Sequence, residues 1–458
     1  MKQKQNITLI WSDKDTEVHF DNDLHVNAQD FIIPNMITEK TLFVPTVKIH
    51  NENLTVKNRL IQGDNLDVMQ FLLTQGFEKS IDLIYIDPPY MSASNYHIKT
   101  IIESKGTKQT INRPAFEDTW NNETENYLNH IYSRLKVMYK LLKANGSIFV
   151  HLDWHISHYV KVLLDEIFTP DAFINEIVWC YSGGSGAVRH FQRKHDVILW
   201  YVKGVDYIFN PQYRPYTEGT VQRGLTRIKG DKYKLNEKGA NLQDWWADIN
   251  KILSPTAREN LKFPTQKPIS LIKRIIAAAS NPGSLVADFY AGSATTAEVC
   301  EQTGRSWICC DSGQLAIETA LSRLIKCNAN PFSLEVINQP SSQNSLLEVE
   351  ARTIKESDGE IDISINIKNY IPESLPENYK HNHPAALIHF WEIDLNHNGN
   401  NFYSNIQVFR KTRKLDDSLC LDIIVRIPAR NKYAIAVRVH DLMGNITTSI
   451  VQMSTNLS

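Results

Sequence analysis

The ten residues from Ile81 to Tyr90, IDLIYIDPPY, constrain this chain more than any other stretch. Ile81, Leu83, Ile84, Tyr85 and Ile86 make an apolar run with one acidic interruption, which predicts a buried parallel strand. Asp87-Pro88-Pro89-Tyr90 then ends it, because proline donates nothing to a ladder and its fixed φ stiffens the turn. In an open α/β sheet, ligands bind beyond the carboxyl ends of the strands. The turn therefore presents a carboxylate, a proline carbonyl and an aromatic face where chemistry is expected. Those groups suit a planar base with an exocyclic amine: two acceptors take its N–H hydrogens, and its ring stacks on Tyr90 for roughly 1–3 kcal/mol. Four residues alone fit a plain strand-ending turn equally well, so the rest of the chain decides.

Upstream, NRLIQGDNLDVMQFLL reads as a short strand ending at Gly63-Asp64-Asn65, then a helix carried by Leu66, Met69 and Leu72 or Leu73. With the Asp87 strand this makes one right-handed βαβ unit. Met91 to about Trp120 is polar and helix-poor, and reads as a long, mobile loop beside the site. Helical spacing over Asn122 to Ala144 stops at Asn145-Gly146; a strand follows from Gly146 to Asp153, then the amphipathic helix HISHYVKVLLDEIF. FINEIVWCY and HDVILWYVK read as two strands joined by the glycine-rich basic loop SGGSGAVRHFQRK.

Charge is distributed unevenly. The 458 residues carry a net charge of −2, yet residues 181 to 275 hold 17 Lys and Arg against 8 Asp and Glu. Tyr, Trp and Arg interleave there, as expected of a surface for phosphate and bases, although a merely solvated face would also be charged. Trp245 and Trp246 fit a core position as well as a base-stacking one. The six cysteines form no C-x-x-C pair and mostly lie in apolar segments, which favours buried thiols over disulfides or zinc. A signal pattern at the N-terminus and an apolar run of membrane-spanning length are both lacking, so a soluble cytoplasmic protein without membrane contact is expected.

Phe263 to Ser280, FPTQKPISLIKRIIAAAS, predicts a helix led in by Pro264 and Pro268. SLVADFYAGSATTAEVCEQTG then reads as a strand, a small-residue turn from Ala291 to Ala294, and a helix from Thr295. Such a turn places backbone N–H groups and a helix N-terminus beside a ligand. RSWICCDSG, a second strand, ends in Asp311, 23 residues beyond Asp288, at the offset suited to ribose hydroxyls. After about Asn330 the texture alternates apolar and polar (IDISINIKNY, ALIHFWEIDL, LDIIVRIPA, KYAIAVRVHD), the pattern of an antiparallel β-sandwich.

IDPPY, FPTQKP, VADFYAGSATT and WICCDSG, in this order with a variable basic region between the first two, resemble the β-class S-adenosylmethionine-dependent DNA amino-methyltransferases. The resemblance covers roughly Asn58 to Lys326 and is nearest the modification subunits of type III restriction systems. It implies a Rossmann-like mixed sheet of seven strands, one of them antiparallel, with the all-β sandwich appended. By the same resemblance Asp87, Pro88, Pro89 and Tyr90 hold a flipped adenine. Asp288, Phe289, Ala291, Gly292 and Ser293 bind the methionine end of S-adenosylmethionine, Asp311 holds its ribose, and Lys267 and Pro268 flank it. Asp64 lies near the cofactor's adenine or the target amine. Ala294 stands where many members of the family carry glycine.

The reaction so implied is methylation of adenine N6 in DNA, without a metal. Cytosine-N4 methylation and a catalytically silent DNA-binding subunit are the alternatives, and Asp rather than Ser at position 87 favours adenine by resemblance. Arg189, Arg193, Lys194, Arg214, Arg223 and Arg227 are the candidate DNA contacts. The expected layout is an N-terminal extension packed on the main domain (1–55), a catalytic half (56–204), a target-recognition region (205–262), a cofactor-binding half (263–330) and the sandwich (335–458). With 12 basic and 15 acidic residues, the sandwich is not expected to bind phosphate; its exposed edges read as a protein-docking surface, in a homodimer or for a second subunit, with a stabilising appendage as the alternative.

Overall fold

The structure is a computed structural model. It describes residues 7–38 (except 13, 15, 16, 19, 21–23 and 25), 54–338 (except 105, 106, 121, 122, 185, 226–234 and 255) and 345–454 (except 358, 374–383, 411–414 and 417). An α/β sheet organises it. From one edge to the other, eleven strands run Trp245–Trp246, Phe173–Cys180, His195–Val202, Leu142–Leu152, Ile81–Ile86, Leu285–Asp288, Ser306–Asp311, Asn58–Gln62, Phe332–Ile337, Val26–Ile32 and Tyr403–Ser404. The His195–Val202 strand is antiparallel to both neighbours, and the strands from Leu142–Leu152 to Phe332–Ile337 are parallel. The sheet is thus wider than the seven strands expected, because Trp245–Trp246 extends one edge and Phe332–Ile337, Val26–Ile32 and Tyr403–Ser404 extend the other.

Ile81–Ile86 is buried throughout, and its side chains alternate between two cores. Leu83 and Tyr85 join the helices Ile269–Ala279, Thr295–Thr303 and Gln314–Lys326 on one face. Ile84 and Ile86 join Asn65–Thr74, Thr124–Leu141 and Ser157–Phe168 on the other. This strand is sandwiched, which is why it reads as a continuous apolar run instead of an alternation.

The segment read as a mobile loop is a long β-hairpin, Ser94–Ser104 paired with Thr107–Asp118. Its alternating residues Ile102, Ile111, Arg113 and Ala115 are buried. A two-residue strand, Leu415–Asp416, runs parallel to Ile102–Glu103, and Ile102 and Ile111 pack with Ala386 and Leu442. The hairpin was obscured in the sequence because its core partners lie some 300 residues away.

The C-terminal residues form a three-stranded sheet (Leu346–Ser357, Glu360–Ile371, Asp422–Pro428) and a five-stranded one containing Ile388–Asp394, Lys432–Asp441 and Ile446–Ser454. Both feed one core. The unit is not self-contained, since Met36–Ile37 is a strand of the larger sheet and Tyr403–Ser404 pairs with Val26–Ile32. Arg438 fixes the junction with a 2.5 Å ion pair to Asp30. Within the N-terminal extension, where NITLIW and KTLFVPTVKI have strand-like composition, the former makes no strand among its described residues and the latter lies outside them.

Candidate active site

A cleft of about 310 Å³ opens at the carboxyl ends of the central strands. Asp64, Asp87, Pro88, Pro89, Tyr90, Lys267, Asp288, Phe289, Ala291, Gly292, Ser293 and Asp311 all line it. The neighbouring strands Ile81–Ile86, Leu285–Asp288 and Ser306–Asp311 each end in an acid at this rim, so parallel register converges three carboxylates that are far apart in sequence. Pro268 does not line the cleft; it is the N-cap of the Ile269–Ala279 helix and sets the chain's entry into it.

Both oxygens of Asp87 are engaged. The Tyr90 hydroxyl donates to Oδ1, and the Lys267 ammonium lies 2.5 Å from Oδ2 and 5.2 Å from the centre of the Tyr90 ring. Lys267 therefore belongs with the Asp87 turn. Beneath it, the Tyr85 hydroxyl meets Nδ1 of the fully buried His151 at 3.0 Å, and His151 Nε2 is 3.3 Å from Asp196. Burial works to raise the Asp196 carboxyl, but His151 and the ammonium groups of Lys267 and Lys251 outweigh it and hold its pKa at about 2. Tyr181 also donates to Asp196, at 2.8 Å.

Across the cleft the small-residue turn is built as the sequence suggests. Gly292 and Ala294 both adopt left-handed φ, +49° and +55°. Ala294 holds a left-handed conformation that glycine would adopt without a Cβ penalty. A Cβ on Gly292 would approach Phe263 to 3.2 Å, so the turn and the FPTQKP segment are close-packed. Asp311 accepts the backbone N–H groups of Gly292 (2.8 Å) and Gly313 (2.9 Å). Asp288 accepts Thr296 Oγ1 at 2.6 Å and the Tyr290 N–H at 3.0 Å, yet burial raises its pKa to about 7. Asp64 caps the Asn65–Thr74 helix and pairs with Arg134 at 2.7 Å.

Several site residues were not singled out from sequence: Asp118, Arg134, Tyr85, His151 and Asp196. Asp118 is 2% exposed and accepts hydrogen bonds from Tyr90, Met91, Ser92 and Trp120. A period of two through Ile98, Thr100 and Ile102, and again through Ile111, Arg113 and Ala115, was the available signal for the strand that carries it.

The basic candidates lie outside the cleft lining. Arg189, Arg193 and Lys194 sit on the excursion between the Phe173–Cys180 and His195–Val202 strands, closed at its base by the Tyr181 N–H donating to the Lys194 carbonyl at 3.0 Å. Arg193 stacks 3.7 Å over Trp154. Arg214 reaches Gln243 at 3.3 Å. Arg223 ends within the Glu218–Leu225 helix with its side chain outside the description, and Arg227 lies outside the described residues. Trp246 is core, 6% exposed beneath Arg274, whereas Trp245 is 56% exposed.

Among the described residues, no cluster of His, Cys, Asp or Glu could hold a metal ion, and no helix is long and apolar enough to cross a membrane. Cys300, Cys309 and Cys310 are buried, and burial pushes their thiol pKa values up.

A family profile described as DNA methylase, covering N6 and N4 enzymes, matches residues 81–322. The type II methyltransferase M.HpaI of Haemophilus parainfluenzae is 30% identical over 250 residues, 54% of this chain and 69% of that protein. The DNA adenine methyltransferase YhdJ of Escherichia coli is 28% identical over 58% of this chain and 82% of its own. The Mod subunit of the type III restriction-modification enzyme StyLTI of Salmonella typhimurium is 25% identical over 62% of this chain and 57% of its own.

Proposed function

We propose, on the premise that this chain belongs to the N6/N4 DNA methylase family, that it transfers a methyl group from S-adenosylmethionine to the N6 amine of an adenine turned out of duplex DNA. The observation that carries the reading is the meeting of Asp87-Pro88-Pro89-Tyr90 with the Asp288–Ser293 turn and Asp311 around one cleft. The lining fits the cofactor chemically. Asp64, Asp87, Asp288 and Asp311 make it predominantly acidic, matching the sulfonium and ammonium that S-adenosylmethionine carries. At Gly292 the left-handed φ of +49° and a 3.2 Å approach of any Cβ to the Phe263 ring both favour glycine, which keeps this turn small beside the cleft.

When bound, S-adenosylmethionine supplies a methyl group on a positively charged sulfur that leaves without needing a proton. The protein's task is to make a poor nucleophile attack it. The adenine N6 lone pair is delocalised into the ring, and accepting both N6 hydrogens, at Asp87 and at the Pro88 carbonyl, favours a pyramidal nitrogen whose lone pair faces the methyl. Tyr90 stacks on the ring and fixes its plane. To accept the amine, Asp87 exchanges the Tyr90 hydroxyl at Oδ1 for it, while Lys267 stays on Oδ2. Alignment of the reacting atoms supplies most of the acceleration. Turning the base out of the helix costs a few kcal/mol, met by stacking and by phosphate contacts.

Arg189, Arg193 and Lys194 are assigned to the DNA backbone, and residues 205–262 to sequence recognition. Within the expected layout, 56–204 and 263–330 are the two halves of a seven-stranded methyltransferase core, and the two C-terminal sheets form the sandwich. That region is assigned a second role in homodimerisation or in docking another subunit, a reading supported by the Mod-subunit relative. The test is nucleoside mass spectrometry of DNA from methylation-deficient cells expressing the protein. N6-methyladenine is expected; N4-methylcytosine would reassign the target base, and unmodified DNA would overturn the reading.

A further inference from the structure

We propose that Asp118 is a positioning residue for methyl transfer, holding the Asp87–Tyr90 turn in its reactive conformation from outside the motif. The proposal rests on the methyltransferase reading. One oxygen, Oδ2, accepts the N–H of Tyr90 at 3.1 Å, the N–H of Ser92 at 2.8 Å and the Ser92 hydroxyl at 2.7 Å. The other, Oδ1, accepts the N–H of Met91 at 2.8 Å and the Trp120 indole N–H at 2.8 Å. Three consecutive backbone N–H groups thus converge on one buried carboxylate, beginning with that of Tyr90, the residue that stacks on the base.

Convergence of this kind is needed because the backbone is in an unfavourable region. Met91, Ala93 and Trp120 all have left-handed φ, +60°, +54° and +48°, and none is glycine. Neighbouring structure must over-determine such a conformation for it to persist. The prolines fix the backbone at the start of the turn, the Tyr90 hydroxyl ties its side chain back to Asp87, and Asp118 holds the backbone N–H groups at its end.

Asp118 is itself held. It closes the Thr107–Asp118 strand of the hairpin, whose Tyr96, Ala115 and Phe116 line the cleft. Arg113 of that strand is paired with Glu318 at 2.6 Å, and Trp120 packs edge-on against Tyr127 and His130 of the Thr124–Leu141 helix. Displacing the turn would move the Pro88 carbonyl and Tyr90 relative to a methyl donor bound on different strands, beside Asp288 and Asp311.

The experiment compares full-length wild type with Asp118→Ala and Asp118→Asn. It reads the single-turnover methylation rate, S-adenosylmethionine affinity by calorimetry, and amide exchange of the peptide spanning residues 88–92. An approximately 100-fold slower rate is expected for Asp118→Ala, the size of loss that a misplacement of about 1 Å produces. Asp118→Asn keeps one acceptor and should fall between. Cofactor affinity should stay within about threefold, a change of under 1 kcal/mol, and exchange at the Tyr90, Met91 and Ser92 amides should accelerate in both variants. A wild-type rate, unchanged exchange, or a cofactor affinity that falls in step with the rate would overturn the proposal. Should Asp118→Ala fail to fold, Asp118→Asn decides by the same three readings. A wild-type protein that methylates no DNA points instead to failure of the functional reading, whereas unchanged exchange in the variants counts against Asp118 alone.

Discussion

Tyr90 has two separable parts, and the structure predicts that only one matters for binding the target base. Its hydroxyl donates to Asp87 Oδ1, the acceptor that the substrate amine requires, while its ring lies in the cleft wall beside Lys267. Tyr90→Ala removes the stacking platform, worth about 1–3 kcal/mol, so affinity for a turned-out adenine should fall roughly 5- to 150-fold. Tyr90→Phe keeps the platform and frees an oxygen of Asp87. The hydrogen bond it deletes is absent once substrate displaces it, so Tyr90→Phe should bind within about threefold of wild type. The assay is equilibrium binding to a duplex with 2-aminopurine at the target adenine, whose fluorescence rises on unstacking, together with the single-turnover rate. Equal losses in Tyr90→Phe and Tyr90→Ala would show that the hydroxyl, not the ring, carries the effect, and would refute this reasoning.

Asp87→Ala should abolish detectable single-turnover methylation while cofactor affinity is retained, since it deletes an amine acceptor; it also leaves Lys267 unpaired at the cleft, costing about 1–3 kcal/mol in denaturant titration. Alanine at Arg189, Arg193 and Lys194 together should weaken binding on every DNA sequence and reduce the log–log salt slope by up to about 2.7; a changed target sequence at unchanged affinity would instead make this loop the reader. Asp288 titrates at about 7 in the fold against 3.8 when unfolded. The folded state therefore holds the proton more tightly, and this group's contribution is present below pH 3.8 and lost as pH rises through 7. Stability of the cofactor-free protein should fall by about 2–3 kcal/mol between pH 5 and pH 8 from this group, a slope Asp288→Asn removes in pH-dependent melting. Ending the chain near Asn330 should yield an unstable, aggregating protein on light scattering, because Phe332–Ile337, Tyr403–Ser404 and Leu415–Asp416 would leave the main sheet and the hairpin; a soluble, active truncation would contradict this.

That last expectation departs from the sequence reading of an independent C-terminal domain. The alternation in IDISINIKNY and KYAIAVRVHD made the strands readable, since a half-buried strand has a local period of two. Pairing is not local: Met36–Ile37 joins the larger C-terminal sheet through two residues with no periodic signal. The same limit hid the Ser94–Asp118 hairpin, whose polar outer face and distant partners Ala386 and Leu442 made it look like a loop.

The sequence by itself determined the buried Asp87 strand, the βα alternation around it, and the strand-end turns at Asp87, Asp288 and Asp311 that line the cleft, because runs of apolar residues ending in acid, proline or glycine encode strand, stop and turn within a few positions. Tertiary structure alone decided how those residues are used. It put the Lys267 ammonium on Asp87 across 180 positions, turned Trp246 into the core and Trp245 out, and set Asp118 behind the Asp87–Tyr90 turn. A hydrogen bond or ion pair depends on separation in space, and no pattern within a segment specifies which distant segment will fold against it.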